Sequence, residues 1–306
     1  MVTASAPGKV ILFGEHAVVY GEPAIACAIN RRVYVTAEKR SDEEVKISST
    51  PELEDGYPYV KRAVEIAFEF LGKRCGLDIS IESEFPPASG LGSSAAVSVA
   101  TILAVSTLLG AKIDKRDIAR LGHKVERKVQ GAASITDSSV TAFGGVLFIK
   151  PQLELVEELG VYNLPLVVGY TGKSSSTKEL VASVRALRDG SPEIVDSIIH
   201  CIGRITIKAK KVLEEKGDIG GLMNLNHGLL EALGVGTDLL SSYVYAARKV
   251  GASGAKITGA GGGGCMIAYA SENQDEVARV LEARGAIVFK VSIEGQGARI
   301  EEKIVK

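Results

Sequence analysis

The chain has 306 residues, with 36 basic against 37 acidic side chains and a formal net charge of −1. The near-balance excludes the basic excess of a general nucleic-acid binder, and a hydrophobic content of 46% excludes an acidic disordered chain. Length corresponds to about two domains at ~150 residues each. The 34 glycines show no Gly-X-Y period, so they mark backbone that turns tightly or approaches a ligand rather than collagen.

The apolar run Lys9-Val10-Ile11-Leu12-Phe13, closed by Gly14, predicts a strand entering a loop. Residues 32–38 and 77–82 alternate apolar and polar side chains, as half-buried antiparallel strands do. Residues 61–71 carry Val64, Ala67, Phe68 and Leu71 at helical spacing, and 95–109 and 117–130 are the next two predicted helices. The first of that pair is a low-polarity run containing Ser98, Thr101, Ser106 and Thr107. It is too short for the ~20 residues of a membrane span and reads as a buried helix. A strand is predicted at 146–150. A second block then begins: a strand at 166–170, a polar loop at 171–176, and helices at 177–189, 192–216, 219–233 and 237–250. Two strands around the glycine-rich 259–264, a helix at 273–284 and a strand at 286–292 complete it. Strands and helices that do not strictly alternate predict an α+β fold, with a boundary near 160–165 and units at 1–163 and 164–306. The cysteines, Cys27, Cys75, Cys201 and Cys265, form no C-x-x-C pair and read as reduced thiols. Without a secretory pattern at the N-terminus, a cytoplasmic location is expected.

Four clusters carry the chemistry. Pro86-Pro87-Ala88-Ser89-Gly90-Leu91-Gly92-Ser93-Ser94-Ala95-Ala96 follows a strand and opens an apolar helix. Its glycines admit a close ligand, and the helix N-terminus supplies free N–H groups and a positive dipole end, which together suit a phosphate. A simple N-cap would need one serine rather than this whole string. The stretch also fits a loose G-x-G-x-x-A, but two prolines separate the strand from the glycines. Asp114, about 20 residues on, lies between helices rather than at a strand end, against a dinucleotide fingerprint. Lys9 is either an edge-strand charge reaching solvent or a lysine aimed into a site, and His16 is equally open. Five glycines in the six residues 259–264, with strand-like flanks, imply a wall of the same site rather than a linker. Glu126 sits at the margin of the apolar stripe of 117–130, in register with Ala119 and Gly122. It is either a surface partner for a nearby base or a group facing a bulky neighbour. Asp137 is by default a cap or turn residue.

P-G-K-V-I-L-F-G-E-H-A-V-V-Y-G at 7–21, P-P-x-S-G-L-G-S-S-A at 86–95 and K-I-T-G-A-G-G-G-G-C at 256–265 resemble, in family order, the three motifs of the GHMP kinases. The G-E-H-A-V-V-Y-G form is most similar to the members acting on mevalonate. The short chain and the stretch 131–137 resemble the archaeal type. The resemblance implies a two-domain α+β fold, with an N-terminal domain like ribosomal protein S5 domain 2, a ferredoxin-like C-terminal domain and the reactants in the cleft between them. It implies ATP and Mg²⁺ as cofactors, mevalonate as the small-molecule partner, a place in isoprenoid biosynthesis and no nucleic-acid or membrane partner, with a homodimer left open. Carried over by position, Asp137 is the catalytic carboxylate and Lys9 its paired lysine, while Glu126 and Ser94 hold the metal. The phosphate loop is Pro87, Ala88, Ser89, Gly90, Leu91, Gly92, Ser93, Ser94, Ala95 and Ala96, joined by Gly261 and Gly262. Glu15, His16 and Lys178 fall at substrate positions, although Ser176-x-x-Glu179 also makes an ordinary capping box. Another kinase of the family, a noncatalytic ligand-binding relative and a dinucleotide oxidoreductase are the competing expectations. Asp137 argues against the homoserine and phosphomevalonate kinase patterns, which lack that carboxylate. Retention of Lys9, Glu126 and Asp137 together argues against a noncatalytic relative.

Overall fold

The computed structural model describes residues 1–50, 56–87, 89–131, 134–150 and 155–301. Ala88 of the phosphate loop and residues 132–133 of the stretch before Asp137 lie outside the described residues.

The first sheet is built on a long hairpin, β1 (Val2–Phe13) against β2 (Ala24–Lys39), with Ala4 opposite Val35 and Lys9 opposite Ala28. The register slips between Pro7 and Gly8. The extra residues there, Asn30 and Arg31, lie in β2, whose Ile29 takes up the pairing with Gly8. The other edge of β2 is shared: residues 33–39 pair with β4 (Leu77–Ser83) and residues 24–27 with β5 (Val146–Lys150). β3 (Val45–Thr50) lies parallel to β4, joined by helix α1 (Pro58–Leu71), and β6 (Leu155–Gly160) pairs with β5. Helix α2 (Ser93–Leu108) is apolar on every side and is buried among β1, β2, α1 and α3 (Lys115–Gln130), as such a helix must be. Helix α4 (Ile135–Phe143) follows, capped by the Ser134 side chain.

The second sheet has the order β10 (Ile287–Val291), β7 (Leu166–Tyr170), β9 (Cys265–Tyr269), β8 (Gly254–Thr258), all antiparallel. In chain order that is 4-1-3-2, the ferredoxin-like arrangement. Between β7 and β8 run α5 (Thr177–Gly190), α6 (Pro192–Glu214), α7 (Gly220–Ala232) and α8 (Asp238–Lys249); α9 (Gln274–Glu282) joins β9 to β10. Both faces of this sheet are buried, and the two-residue period of a strand divides them. Val167, Ala255, Ile257, Met266 and Ala268 enter a core with α5–α9, whereas Leu166, Val168, Cys265 and Ile267 enter the core of the first sheet.

The connection from first to second sheet lies between Gly160 and Leu166. One part of the expected 164–306 unit needs correction: its last strand, β11 (Arg299–Ile300), returns to pair with β1. The buried Arg32 guanidinium holds this returning segment through the Gln296 and Gly297 carbonyls, at 3.1 and 2.6 Å, and through Glu294.

His227 on α7 is buried, and neither ring nitrogen has a hydrogen-bond partner among the described residues, although Glu231 lies 3.4 Å away. Burial outweighs that carboxylate and pushes the imidazole pKa down from 6.5 to about 4. The unfolded chain therefore takes up this proton first. The contribution is complete above pH 6.5 and is lost as pH falls toward 4, with a slope of at most ~1.4 kcal/mol per pH unit. Denaturant melts at pH 7.5 and 5 should show a smaller acid loss for His227→Gln than for the wild type. Equal losses would place the acid sensitivity elsewhere.

Candidate active site

A cleft of about 2290 Å³ opens where the two sheets meet, bordered by the loop before α2, the start of α4, the start of α5 and the glycine-rich turn between β8 and β9. Pro86, Pro87, Gly90, Gly92, Ser93 and Ser94 line it at the N-terminus of α2, whose free N–H groups and dipole make an anion site. Other members of the expected loop face inward. Leu91, Ala95 and Ala96 are core residues outside the cleft lining, and Ser89 is buried with its hydroxyl bonded to the Pro86 carbonyl at 2.8 Å. Gly261 lines the cleft. Gly262 does not, because it packs on Leu180 and donates its N–H to the Val235 carbonyl at 2.8 Å.

Lys9 is no edge charge reaching solvent. Its N–H donates to the Leu91 carbonyl at 2.8 Å and its ammonium reaches Asp137 at 3.1 Å, with side-chain exposures of 5% and 29%. Gly92 makes room for it: a Cβ there would stand 2.7 Å from Lys9 Cγ, and φ is +78°. Asp137 occupies the first turn of α4, behind the Ser134 cap. Glu126 is buried on α3, facing α2 rather than solvent. Gly122, one turn earlier, lets Val99 and Ser138 close in; a Cβ there would lie 2.9 Å from Val99. Ser94 donates to Glu126 Oε1 at 3.3 Å, while Oε2 is buried with no hydrogen-bond partner among the described residues. Burial, then the Asp137 charge, pushes the Glu126 pKa up to about 8 against the pull of Lys9 and Ser94.

That unpartnered oxygen fits the role of a cation ligand. One carboxylate and one hydroxyl suit Mg²⁺, which keeps waters and takes further oxygens from phosphates. The described residues hold no cluster of three or more His, Cys, Asp or Glu that would form an all-protein cage.

His16 lines the cleft with φ +60° and donates from Nε2 to the Ala260 carbonyl at 2.8 Å; burial lowers its pKa. Glu15 also borders the cleft, beside His16. Its side chain is fully buried, with Oε1 on Lys256 Nζ and Oε2 accepting from Asn226 at 3.2 Å. Lys178 lines the cleft from the exposed start of α5, and Ser176 caps that helix through the Glu179 N–H at 3.3 Å. Arg185, seven residues on, also lines the cleft. Sequence reasoning missed it, although the i, i+7 spacing from Lys178 was available.

A helix N-terminus suited to an anion, a lysine–aspartate pair and a buried carboxylate gather around this one cleft. The chain belongs to the GHMP kinase family: residues 58–145 match the GHMP kinases N terminal domain and 209–287 the GHMP kinases C terminal model. Residues 2–39 also match a galactokinase galactose-binding signature. Curated mevalonate kinases match it over nearly their whole length. That of Pyrococcus horikoshii is 49% identical over 98% of both chains. The Methanococcus jannaschii mevalonate kinase structure is 31% identical, with a TM-score of 0.85 over 95% of this chain and 98% of that one. The L. major mevalonate kinase in complex with R-mevalonate superposes with a TM-score of 0.87 at 26% identity, over 97% of each chain. No helix among the described residues is long and apolar enough to cross a membrane.

Proposed function

We infer that this enzyme transfers the γ-phosphoryl group of ATP to the 5-hydroxyl of (R)-mevalonate, yielding ADP and 5-phosphomevalonate. The substrate rests on the full-length similarity to mevalonate kinases. The chemistry rests on one observation: Lys9, Asp137 and Glu126 gather beside the helix N-terminus that faces the cleft.

The N–H groups at the start of α2 receive the triphosphate, and the glycine-rich turn forms the wall beside it. Asp137 accepts the hydroxyl proton as the alcohol oxygen bonds to the γ-phosphorus and the bond from that phosphorus to the ADP oxygen breaks. Lys9 orients Asp137 through their ion pair and sets a positive charge beside the developing alkoxide. Ser94 and Glu126 would hold Mg²⁺, the role that fits the unpartnered Oε2. That ion would supply positive charge to offset the charge of the loose transition state. Lys178 and Arg185 put two cations on the cleft-facing side of α5 for the mevalonate carboxylate.

A coupled ADP-release assay over a panel of alcohols tests the substrate. Mevalonate should turn over at least ~10-fold faster than homoserine, galactose or 5-phosphomevalonate at equal concentration. Galactose is the sharpest competitor, given the signature match at 2–39. A preference for it would overturn the substrate and leave the kinase class standing.

Gly92→Ala tests the space made for Lys9. The new methyl forces the lysine stem aside and strains a left-handed residue. Turnover should fall about tenfold or more from misplacement of the ammonium, with the melting temperature lowered only modestly. Unchanged turnover would show that Lys9 reaches Asp137 by another path.

A further inference from the structure

Glu15 and Lys256 are buried ionisable groups that the phosphoryl-transfer scheme leaves unused. Lys256 lies between Ala255 and Ile257, both in the helix-side core, so strand alternation turns it to the opposite face, toward the first sheet. There its ammonium meets the Glu15 carboxylate and the Ile257 carbonyl, at zero exposure. Asn226 of α7 holds the second Glu15 oxygen. The contact is one rung of a ladder joining the end of β1 to β8 and its glycine-rich turn. Below it, the Ile11 N–H donates to Thr258 Oγ1 at 2.9 Å, and that hydroxyl donates to the Ile11 carbonyl at 3.0 Å. Above it, His16 reaches Ala260. A fourth contact carries the connection to the phosphate loop, where Cys265 Sγ donates to the Ser89 carbonyl at 3.1 Å.

A buried ion pair is a poor means of gaining stability, since apolar residues of like volume often serve as well or better. What it supplies is direction. Each Glu15 oxygen has its own donor, so one orientation of the carboxylate, and of the backbone leading to His16, is selected. His16 needs such an anchor. Its φ of +60° is one that a non-glycine residue holds only when its surroundings impose it.

We propose that Glu15 and Lys256, with Asn226, are positioning residues for the alcohol substrate: they hold His16 and the Ala260 turn in place across the two sheets and do not touch the substrate themselves. The proposal rests on the kinase reading above and assigns Glu15 a role different from the direct contact that its motif suggested.

The test compares the full-length wild type with Glu15→Gln, Lys256→Met, the double variant and Asn226→Ala. Melting temperature and steady-state kinetics are measured well below every melting transition. Each charge-removing single should melt several degrees lower, because it leaves a buried charge unpaired. It should raise the KM for mevalonate by about tenfold, with the KM for ATP within about threefold. The double variant should recover most of the lost melting temperature yet keep the raised mevalonate KM, no worse than the worse single. Asn226→Ala leaves the ion pair intact and should raise that KM severalfold with little thermal effect. This variant decides the matter if the others fail to fold, and a wild-type KM for it would then overturn the proposal. A double variant with wild-type kinetics would reduce the pair to a packing element. A raised KM in Glu15→Gln but not in Lys256→Met would make Glu15 a direct substrate contact. If the wild type releases no ADP with mevalonate, the substrate reading fails separately, and the same variants are compared on whichever panel alcohol it does use.

Discussion

Asp137→Asn should lower kcat by ~10²–10⁴-fold, the usual cost of losing a general base, with ATP affinity little changed. Asparagine keeps the shape and the cap-side position in the first turn of α4 but cannot take the hydroxyl proton. The geometry adds a second consequence. Lys9, 5% exposed, loses its 3.1 Å partner and remains beside Glu126, the other carboxylate within its influence. Lys9→Met produces the converse defect, two neighbouring carboxylates with no cation between them, and should be comparably severe. If base and lysine act as one unit, the double variant will be little worse than the worse single. Losses whose logarithms add would assign Lys9 an independent role on the phosphate. More than a tenth of wild-type kcat in Asp137→Asn would exclude Asp137 as the base, leaving positioning and electrostatics to carry the reaction.

The parts of this site that the sequence made legible are those whose signal is local. Helix α2 is readable because it carries no charged side chain along a mostly apolar run, and the loop before it because prolines, glycines and serines follow one another. The α+β class and the order of elements after residue 166 follow from the same local patterns. Helix α4 is not legible in this way. Ser, Thr, Asp and Val are weak helix formers, and Ser134-Ile135-Thr136-Asp137 reads as well for a turn as for a capped first turn. Only family resemblance singled out Asp137 there. β3 and β6 were missed for a related reason: their charged and polar side chains dilute the strand signal.

Charge placement depends on tertiary structure still more. Lys9 could be read as an edge residue because nothing local reveals that the loop before α2 and the start of α4 pack against its part of β1. The alternation of β8 puts Lys256 opposite Ala255 and Ile257, but not the fact that both faces of the second sheet are buried, which makes a lysine there need a partner. The return of residues 299–300 to β1 is a contact nearly 300 residues apart along the chain, with no local pattern to announce it.

Glu126→Gln carries the other large expectation: a loss of ~10²-fold or more in kcat, because the carboxylate proposed to hold Mg²⁺ becomes neutral. Stability should move the other way. In the metal-free protein the Glu126 pKa is raised from 4.5 to about 8 by burial and by Asp137, so the folded state keeps a proton that the unfolded chain has released. Stability is therefore lost as pH rises from 4.5 toward 8. Glutamine resembles the protonated acid in shape and polarity and never ionises. With EDTA present at pH 8, Glu126→Gln should melt at or above the wild-type temperature, and the difference should shrink as pH falls toward 5. An active, strained carboxylate exchanged for an inert, comfortable amide is a trade between function and stability. A variant that turns over normally with Mg²⁺ would return Glu126 to a packing role. One that melts well below wild type at pH 8 would show that its ionised form is already satisfied without a metal.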